Sequence, residues 1–218
     1  MSSLTHILSL PKTIWCNFRY LPFRQAIRFP IAVHYNTRCK IKRGGVVLNS
    51  QALSPMMIRI GFHTVPIIYQ EKTVLDIKGK MVFEGTAHIG RGSHIVVQRD
   101  AFLELGNNFA ISAASNLYCY KHIKLGDNIQ LSWGVLIMDS DAHFVLGEDG
   151  RVINENKEII FGNKIWVGCD SKILKGAFIP DNCVVGANTV VTSSPLEPNT
   201  LITGCPAKSV KRIIGFRV

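Results

Sequence analysis

Residues 161 to 196 divide without remainder into six consecutive hexads, FGNKIW, VGCDSK, ILKGAF, IPDNCV, VGANTV and VTSSPL. The first position is always apolar (Phe161, Val167, Ile173, Ile179, Val185, Val191). The second is Gly or a bend-tolerant residue in four of six (Gly162, Gly168, Pro180, Gly186), and the fifth is small or slim in four (Ser171, Ala177, Cys183, Thr189). Period six is incompatible with a helix face, because apolar residues so spaced advance ~600° at 100° per residue and scatter over every side. Ordinary sandwich strands alternate with period two and turn every ~8–12 residues. What remains is a solenoid in which each unit is a short strand plus a corner, and stacked coils bury each other's apolar side chains. The sequence therefore predicts an all-β parallel β-helix.

The same register is visible upstream as IKGKMV, FEGTAH, IGRGSH and IVVQRD, with Ile77, Phe83, Ile89 and Ile95 in the apolar position. It slips, resumes at Leu105, Ile111 and Leu117, slips by two, and resumes at Leu125, Leu131 and Ile137. Insertions of this kind belong at corners, since an extra residue inside a stacked strand turns its side chains inside out. Three regions follow: a non-repeat N-terminal cap over 1–76, a solenoid over 77–205, and a basic tail or short C-terminal helix over 206–218. A chain of 218 residues without a long Ser/Pro/Gly linker is expected to form one domain.

Within the cap, residues 12–48 mix aromatics and arginines around Pro22 and Pro30 and show no hexad. Segment 22–29 predicts a short amphipathic helix with Phe23, Ala26 and Ile27 opposite Arg24 and Arg28. This segment is either a cover for the open first coil or a contact with a membrane surface or lipid-linked substrate.

A net charge of +10 favours polyanionic ligands or surfaces. The basic residues are not interleaved with aromatics along one repeat face, so nucleic acid is not expected. The six cysteines lie at scattered spacings with no CxxC, which argues against a zinc ribbon or redox pair and for small buried hydrophobes. The N-terminal apolar run lacks a basic leader and a small-residue cleavage site, and no run approaches the ~18 apolar residues of a membrane span; a cytoplasmic protein is expected.

The hexad after IMDSDA opens with His143 instead of an aliphatic residue, and the repeat returns only at Phe161, leaving 144–160 as an excursion that contains GEDG. A titratable residue at a core position beside such an excursion is the kind of local rule-breaking found at functional sites. Asp141, two residues away, and Asp139 are candidate partners, since a carboxylate on one imidazole nitrogen fixes the tautomer and leaves the other as a base.

These hexads, the IWVG segment (Ile165 to Gly168) and the closing GCPAK (Gly204 to Lys208) resemble the hexapeptide-repeat acyltransferases, across about Ile77 to Lys208. The resemblance, strongest to the maltose and galactoside acetyltransferases and their polysaccharide-modifying relatives, implies a left-handed β-helix with three hexads per coil. It further implies a homotrimer with sites between subunits, acetyl-coenzyme A as donor, and a sugar hydroxyl as acceptor. It makes His143 the catalytic base with Asp141 and Asp139 beside it, and puts Trp166, Gly168, Gly186, Ala187 and Lys208 along the cofactor. Ser112 and Trp133 fall on the acceptor side, with Ser112 or Ala114 where the family has an asparagine. The lysine that the family often has after VVT is replaced by Ser193 and Ser194. N-acetylation of a nucleotide-linked amino sugar and a non-catalytic scaffold are the alternatives. A metal site of the γ-class carbonic anhydrase type is not expected, because no two histidines stand five residues apart.

Overall fold

In the last coils, hexad positions five, six and one read buried, exposed, buried, as in Ile165, Trp166 and Val167. That is one short strand per hexad, with two side chains turned into the solenoid. The computed structural model describes residues 3–50, 52–62, 65, 71–193 and 195–217. Two helices come first, α1 (Ser3–Tyr20) and α2 (Phe23–Ala26). The first coil is β1 (Ile31–Val33), β2 (Arg38–Ile41) and β3 (Val46–Leu48), and the second is β4 (Ile58–Ile60), β5 (Val74–Ile77) and β6 (Lys80–Phe83). The third is β7 (Ala87–Ile89), β8 (His94–Val97) and β9 (Phe102–Leu105); the fourth is β10 (Phe109–Ile111), β11 (Asn116–Cys119) and β12 (His122–Leu125). The fifth is β13 (Ile129–Leu131), β14 (Leu136–Met138) and β15 (Ile159–Phe161), and the sixth is β16 (Ile165–Val167), β17 (Lys172–Leu174) and β18 (Phe178–Ile179). The chain closes with β19 (Val184–Val185), β20 (Val190–Val191), β21 (Thr200–Gly204) and β22 (Ala207–Arg212).

Every third strand pairs in parallel with the next, so the coils make a three-faced prism. The first face runs β1-β4-β7-β10-β13-β16-β19-β21-β22, the second β2-β5-β8-β11-β14-β17-β20, and the third β3-β6-β9-β12-β15-β18. Register stacks like on like: Ile95, Leu117, Ile137, Ile173 and Val191 are in line on the second face, and all are fully buried. At roughly 1.5–3 kcal/mol for each buried aliphatic or aromatic side chain, such ladders are the main stabilising force.

Coil length explains what the sequence concealed. Ile160 pairs with Phe178 and Ile173 with Val191, so each turn there takes 18 residues, or three hexads. Ala110 pairs with Gln130, 20 residues on, and Ala87 with Phe109, 22 on. In the first coils the separation grows to 27 for Ile31 with Ile58 and to 36 for Arg38 with Val74. Irregular corners hide the period, so the solenoid begins at Ile31 and not at Ile77; the strands β1 to β4 and the start of β5, which fall within the expected cap, belong to its coils. The basic tail expected over 206–218 begins instead with the strand β22, antiparallel to β21.

The corners also revise the role of the hexad's glycines. The left-handed residue is the fourth of the first five hexads (Lys164, Asp170, Gly176, Asn182 and Asn188, φ +55° to +79°), not the second. Position two is glycine where coils approach closely: a Cβ on Gly168 would stand 2.7 Å from the Ala187 nitrogen and 2.9 Å from the Val185 oxygen.

Helix α1 covers the exposed edge of β1 with polar side chains at four-residue spacing. The Tyr35 N–H donates to Ser9 Oγ (3.1 Å), the Val33 N–H to Thr13 Oγ1 (3.0 Å) and the Ile31 N–H to Asn17 Oδ1 (3.2 Å). Asn17 Nδ2 donates back to the Ile31 carbonyl (2.7 Å). The helix thus replaces the strand that β1 lacks on its outer side.

Candidate active site

The fifth coil leaves the prism after β14. Chain from Asp139 to Glu158 forms an arm, bridged in antiparallel fashion between Leu146 and Val152, before β15 resumes the third face with Ile159 opposite Ile123. Ile159 and Phe161 fill the core slots, so His143 does not occupy an aliphatic position; it stands outside, exposed at the base of the arm. Among the described residues its imidazole has no hydrogen-bond partner, and its carbonyl accepts from Asn154 Nδ2 (2.9 Å).

Neither predicted carboxylate orients that ring. Asp139 is fully buried and accepts from three successive backbone N–H groups, Tyr120 (2.7 Å), Lys121 (2.8 Å) and His122 (2.8 Å). Its role is to close the corner between β11 and β12 in the coil below. The Cys119 thiol beside it is pushed up by burial and by the Asp139 charge. Asp141 faces the arm: it accepts from Lys175 Nζ (2.5 Å) and Asn154 Nδ2 (2.8 Å), which hold its carboxyl below the usual range. Lys175 also donates to the Asn154 carbonyl (2.7 Å), and Asn154 Oδ1 accepts from the Val145 N–H (2.7 Å). Asn154 and Lys175, unmarked by any pattern in the sequence, clamp the arm and with it His143.

The other predicted residues gather on a different edge, where the first face turns into the second. Residues that follow successive first-face strands stack there: the Ser112 N–H donates to Leu131, Ser132 to Val167, Gly168 to Val185 and Gly186 to Ile202. Trp133 lies beside this column, with its carbonyl accepting from the Asp170 N–H (3.1 Å). Trp166 is half-exposed on the first face and its Nε1 donates to Ser132 Oγ (3.1 Å), which leans the indole towards the same edge. Ala187 is exposed, and a Cβ on Gly186 would make only ordinary contacts with Thr203 (3.4 Å). Lys208, paired with Thr203 on β22, ends the column as an exposed cation. The strip is narrow-walled by small residues, has a tryptophan on one flank and is closed by a positive charge, which suits an extended thiol-bearing chain that carries phosphates.

The structure therefore assembles the predicted residues into two groups on two edges. His143 stands on the edge between the second and third faces, and the Ser112-to-Lys208 column between the first and second. Three-residue β14, at ~3.3 Å per residue, holds them about 10 Å apart before the corners are added. A separate groove of about 340 Å³, missed by the sequence reasoning, opens at the remaining edge and is lined by Asn128, Gln130, Lys164, Asn182 and the C-terminal Phe216. Among the described residues no three His, Cys, Asp or Glu side chains converge on a metal-sized point. His122 is held instead between Glu104 (2.7 Å) and Glu158 (3.2 Å).

No family model matches the chain. It is 26% identical over 113 residues to the galactoside O-acetyltransferase of Escherichia coli K12, covering 51% of this chain and 54% of that protein. It is 31% identical over 143 residues to a 24.8 kDa protein of the cps region of Klebsiella pneumoniae, covering 66% and 63%. By sequence, the chain is thus similar to proteins named as acetyltransferases, including over 58 residues (40% identical, 27% of this chain and 29% of that one) a putative lipopolysaccharide biosynthesis O-acetyl transferase, WbbJ, of Escherichia coli K12. The match spans about half the length of the galactoside enzyme. Among solved structures, the polysialic acid O-acetyltransferase OatWY is 24% identical with a TM-score of 0.46, over 84% of this chain and 88% of that one.

Proposed function

We propose that this protein transfers an acetyl group from acetyl-coenzyme A to a hydroxyl of a sugar, in the synthesis of a surface polysaccharide, as a homotrimer on the cytoplasmic side of the membrane. The observation that carries the proposal is the separation of the two residue groups onto neighbouring edges of one prism. In a ring of three identical chains the same pair of patches meets at every interface. His143 of one chain then faces the Gly168, Gly186 and Lys208 column of the next. The arm favours this arrangement, since Phe144, Val145, Leu146 and Ile153 are all more than half exposed and await a partner surface.

In this reading Lys208 pairs with phosphate oxygens of the donor, Trp166 and the small residues flank its pantetheine chain, and Ser112 and Trp133 bound the acceptor. The thioester brings an already activated acyl group. His143, free of any partner carboxylate, takes the proton of the acceptor hydroxyl as its oxygen attacks the acyl carbon; the C–S bond then breaks, and the imidazolium returns the proton to the departing thiolate. A base so placed contributes ~10²–10⁴ in rate. The clamp of Asp141, Asn154 and Lys175 positions it through the backbone rather than through the ring.

The test is release of free thiol from acetyl-coenzyme A in the presence of a panel of sugar acceptors. His143→Ala is expected to lower turnover by ~10²-fold or more with donor affinity nearly unchanged. Co-assembly of His143→Ala chains with Gly186→Trp chains, each inactive alone, is expected to recover part of the activity. Full turnover by His143→Ala, or mixed trimers with no recovery, would overturn the assignment.

A further inference from the structure

Helix α1 is amphipathic in the inverted sense. Its inward face carries the polar row Ser9, Thr13 and Asn17, consumed by the backbone of β1 and of Tyr35 just after it, beside Cys16 and Tyr20, which reach the core. Its outward face is Leu4, Ile7, Leu8, Ile14, Trp15 and Phe18, each between 45% and 62% exposed. At 100° per residue these six positions lie within about 120° of one another around the helix and so form one stripe. The stripe continues past the helix into Phe23 (70% exposed) and Ile27 (50%), with Phe18 packed 6.1 Å from Phe23 and 5.9 Å from Phe29.

An apolar stripe of this extent is not left in water without a partner. Its charge surroundings point to which partner. Arg19, Arg24 and Arg28 are exposed beside the stripe, and the first 70 residues contain Lys and Arg at nine positions but no Asp or Glu. A second copy docked on the same face would set these cations against one another without a counter-charge, and a face-to-face symmetric contact is therefore disfavoured. Among the described residues no helix is long and apolar enough to cross a membrane. A helix with one apolar face, a tryptophan on that face and flanking arginines has the chemistry of an element that lies in the plane of a bilayer surface.

We infer that α1 and α2 together form a docking surface for an anionic lipid bilayer, and hold the N-terminal end of the prism against it. Ser9, Thr13 and Asn17 fasten the helix to the first coil, which leaves the whole apolar face available for the lipid. The inference does not depend on acyl transfer and extends the proposed function only by saying where the prism sits.

The experiment uses the full chain with vesicles of phosphatidylcholine alone and of phosphatidylcholine mixed with phosphatidylglycerol, and no acyl donor. Flotation should show binding to the mixed vesicles that weakens with salt. At ~1 kcal/mol per basic residue at such a surface, Arg24→Glu with Arg28→Glu should lower partition by about 30-fold or more. Leu8→Glu with Trp15→Glu should abolish it. All four side chains are exposed, Trp15 with one edge against Tyr20 (5.5 Å), so circular dichroism should match the unmodified protein and show that the variants are folded. Equal failure to bind both vesicle types would overturn the inference. So would a concentration-dependent dimer, in vesicle-free buffer, that Leu8→Glu with Trp15→Glu dissolves, because the stripe would then belong to a second copy.

Discussion

Asp139→Asn separates a structural carboxylate from a catalytic one. In the native corner the two Asp139 oxygens receive the N–H groups of Tyr120, Lys121 and His122 at 2.7–2.8 Å, with the side chain fully buried. Oδ2 serves Lys121 and His122, and Oδ1 serves Tyr120. An amide offers one oxygen, so its best placement keeps the two N–H groups at Oδ2 and turns its NH₂ towards the Tyr120 N–H. One buried donor is then orphaned, at roughly 2–3 kcal/mol, and the two remaining bonds lose their charge assistance at about 0.5–1 kcal/mol each. The sum is about 4 kcal/mol, a large part of the ~5–15 kcal/mol of a typical domain. At ~2–4 °C per kcal/mol for a chain of this size, the midpoint should fall by about 10 °C. Thermal melting followed by circular dichroism, beside thiol release at a temperature where both proteins are folded, reads the two effects separately. His143→Ala should show the converse pattern of slow turnover with an unchanged midpoint. An Asp139→Asn protein that melts normally and turns over ~10²-fold more slowly would refute the structural account and return Asp139 to the base.

Asn17→Ala removes both partners of Ile31 at the capped edge and should destabilise by about 2–3 kcal/mol, visible as a fall in midpoint, whereas Leu8→Ala on the outer face of the same helix should leave it unchanged. His34 is buried, and that burial, followed by the charges of Arg91, Lys12 and His6, pushes its pKa from 6.5 to about 4. Between those values the unfolded chain binds a proton that the folded chain refuses, so stability should fall by up to about 3 kcal/mol as pH drops from about 6.5 to about 4. Urea midpoints at several pH values check this, and a His34→Gln protein with the same slope would refute the assignment. Asp141→Asn loosens the arm's clamp at an exposed ion pair worth ~0.2–1 kcal/mol, so the melt should barely move while protease cleavage within 144–157 rises severalfold. Unchanged cleavage would show that Asn154 and Lys175 hold the arm without it.

The parallel solenoid was legible because a stacked coil repeats its environment every 18 residues, and Phe161, Val167, Ile173, Ile179, Val185 and Val191 must each fill an equivalent core slot. Local chemistry of this kind is written into the period itself. Coil one and the start of coil two were not legible because the turn from one to the other takes 27 to 36 residues, and corner insertions erase a period without disturbing the pairing it serves. The break at His143 likewise marked the arm in the sequence. Only the tertiary structure decided what lies beside it. Sequence proximity placed Asp139 and Asp141 near the imidazole, but a chain leaving a coil turns one carboxylate inward, to the N–H groups of a strand 17 residues earlier, and the other towards a lysine 34 residues later. Such partners are chosen by which coil stacks on which, a long-range fact with no local signature. The same holds for α1, which no reading of the sequence marked: its polar row turned inward because the first strand of a solenoid has backbone groups with no strand to receive them.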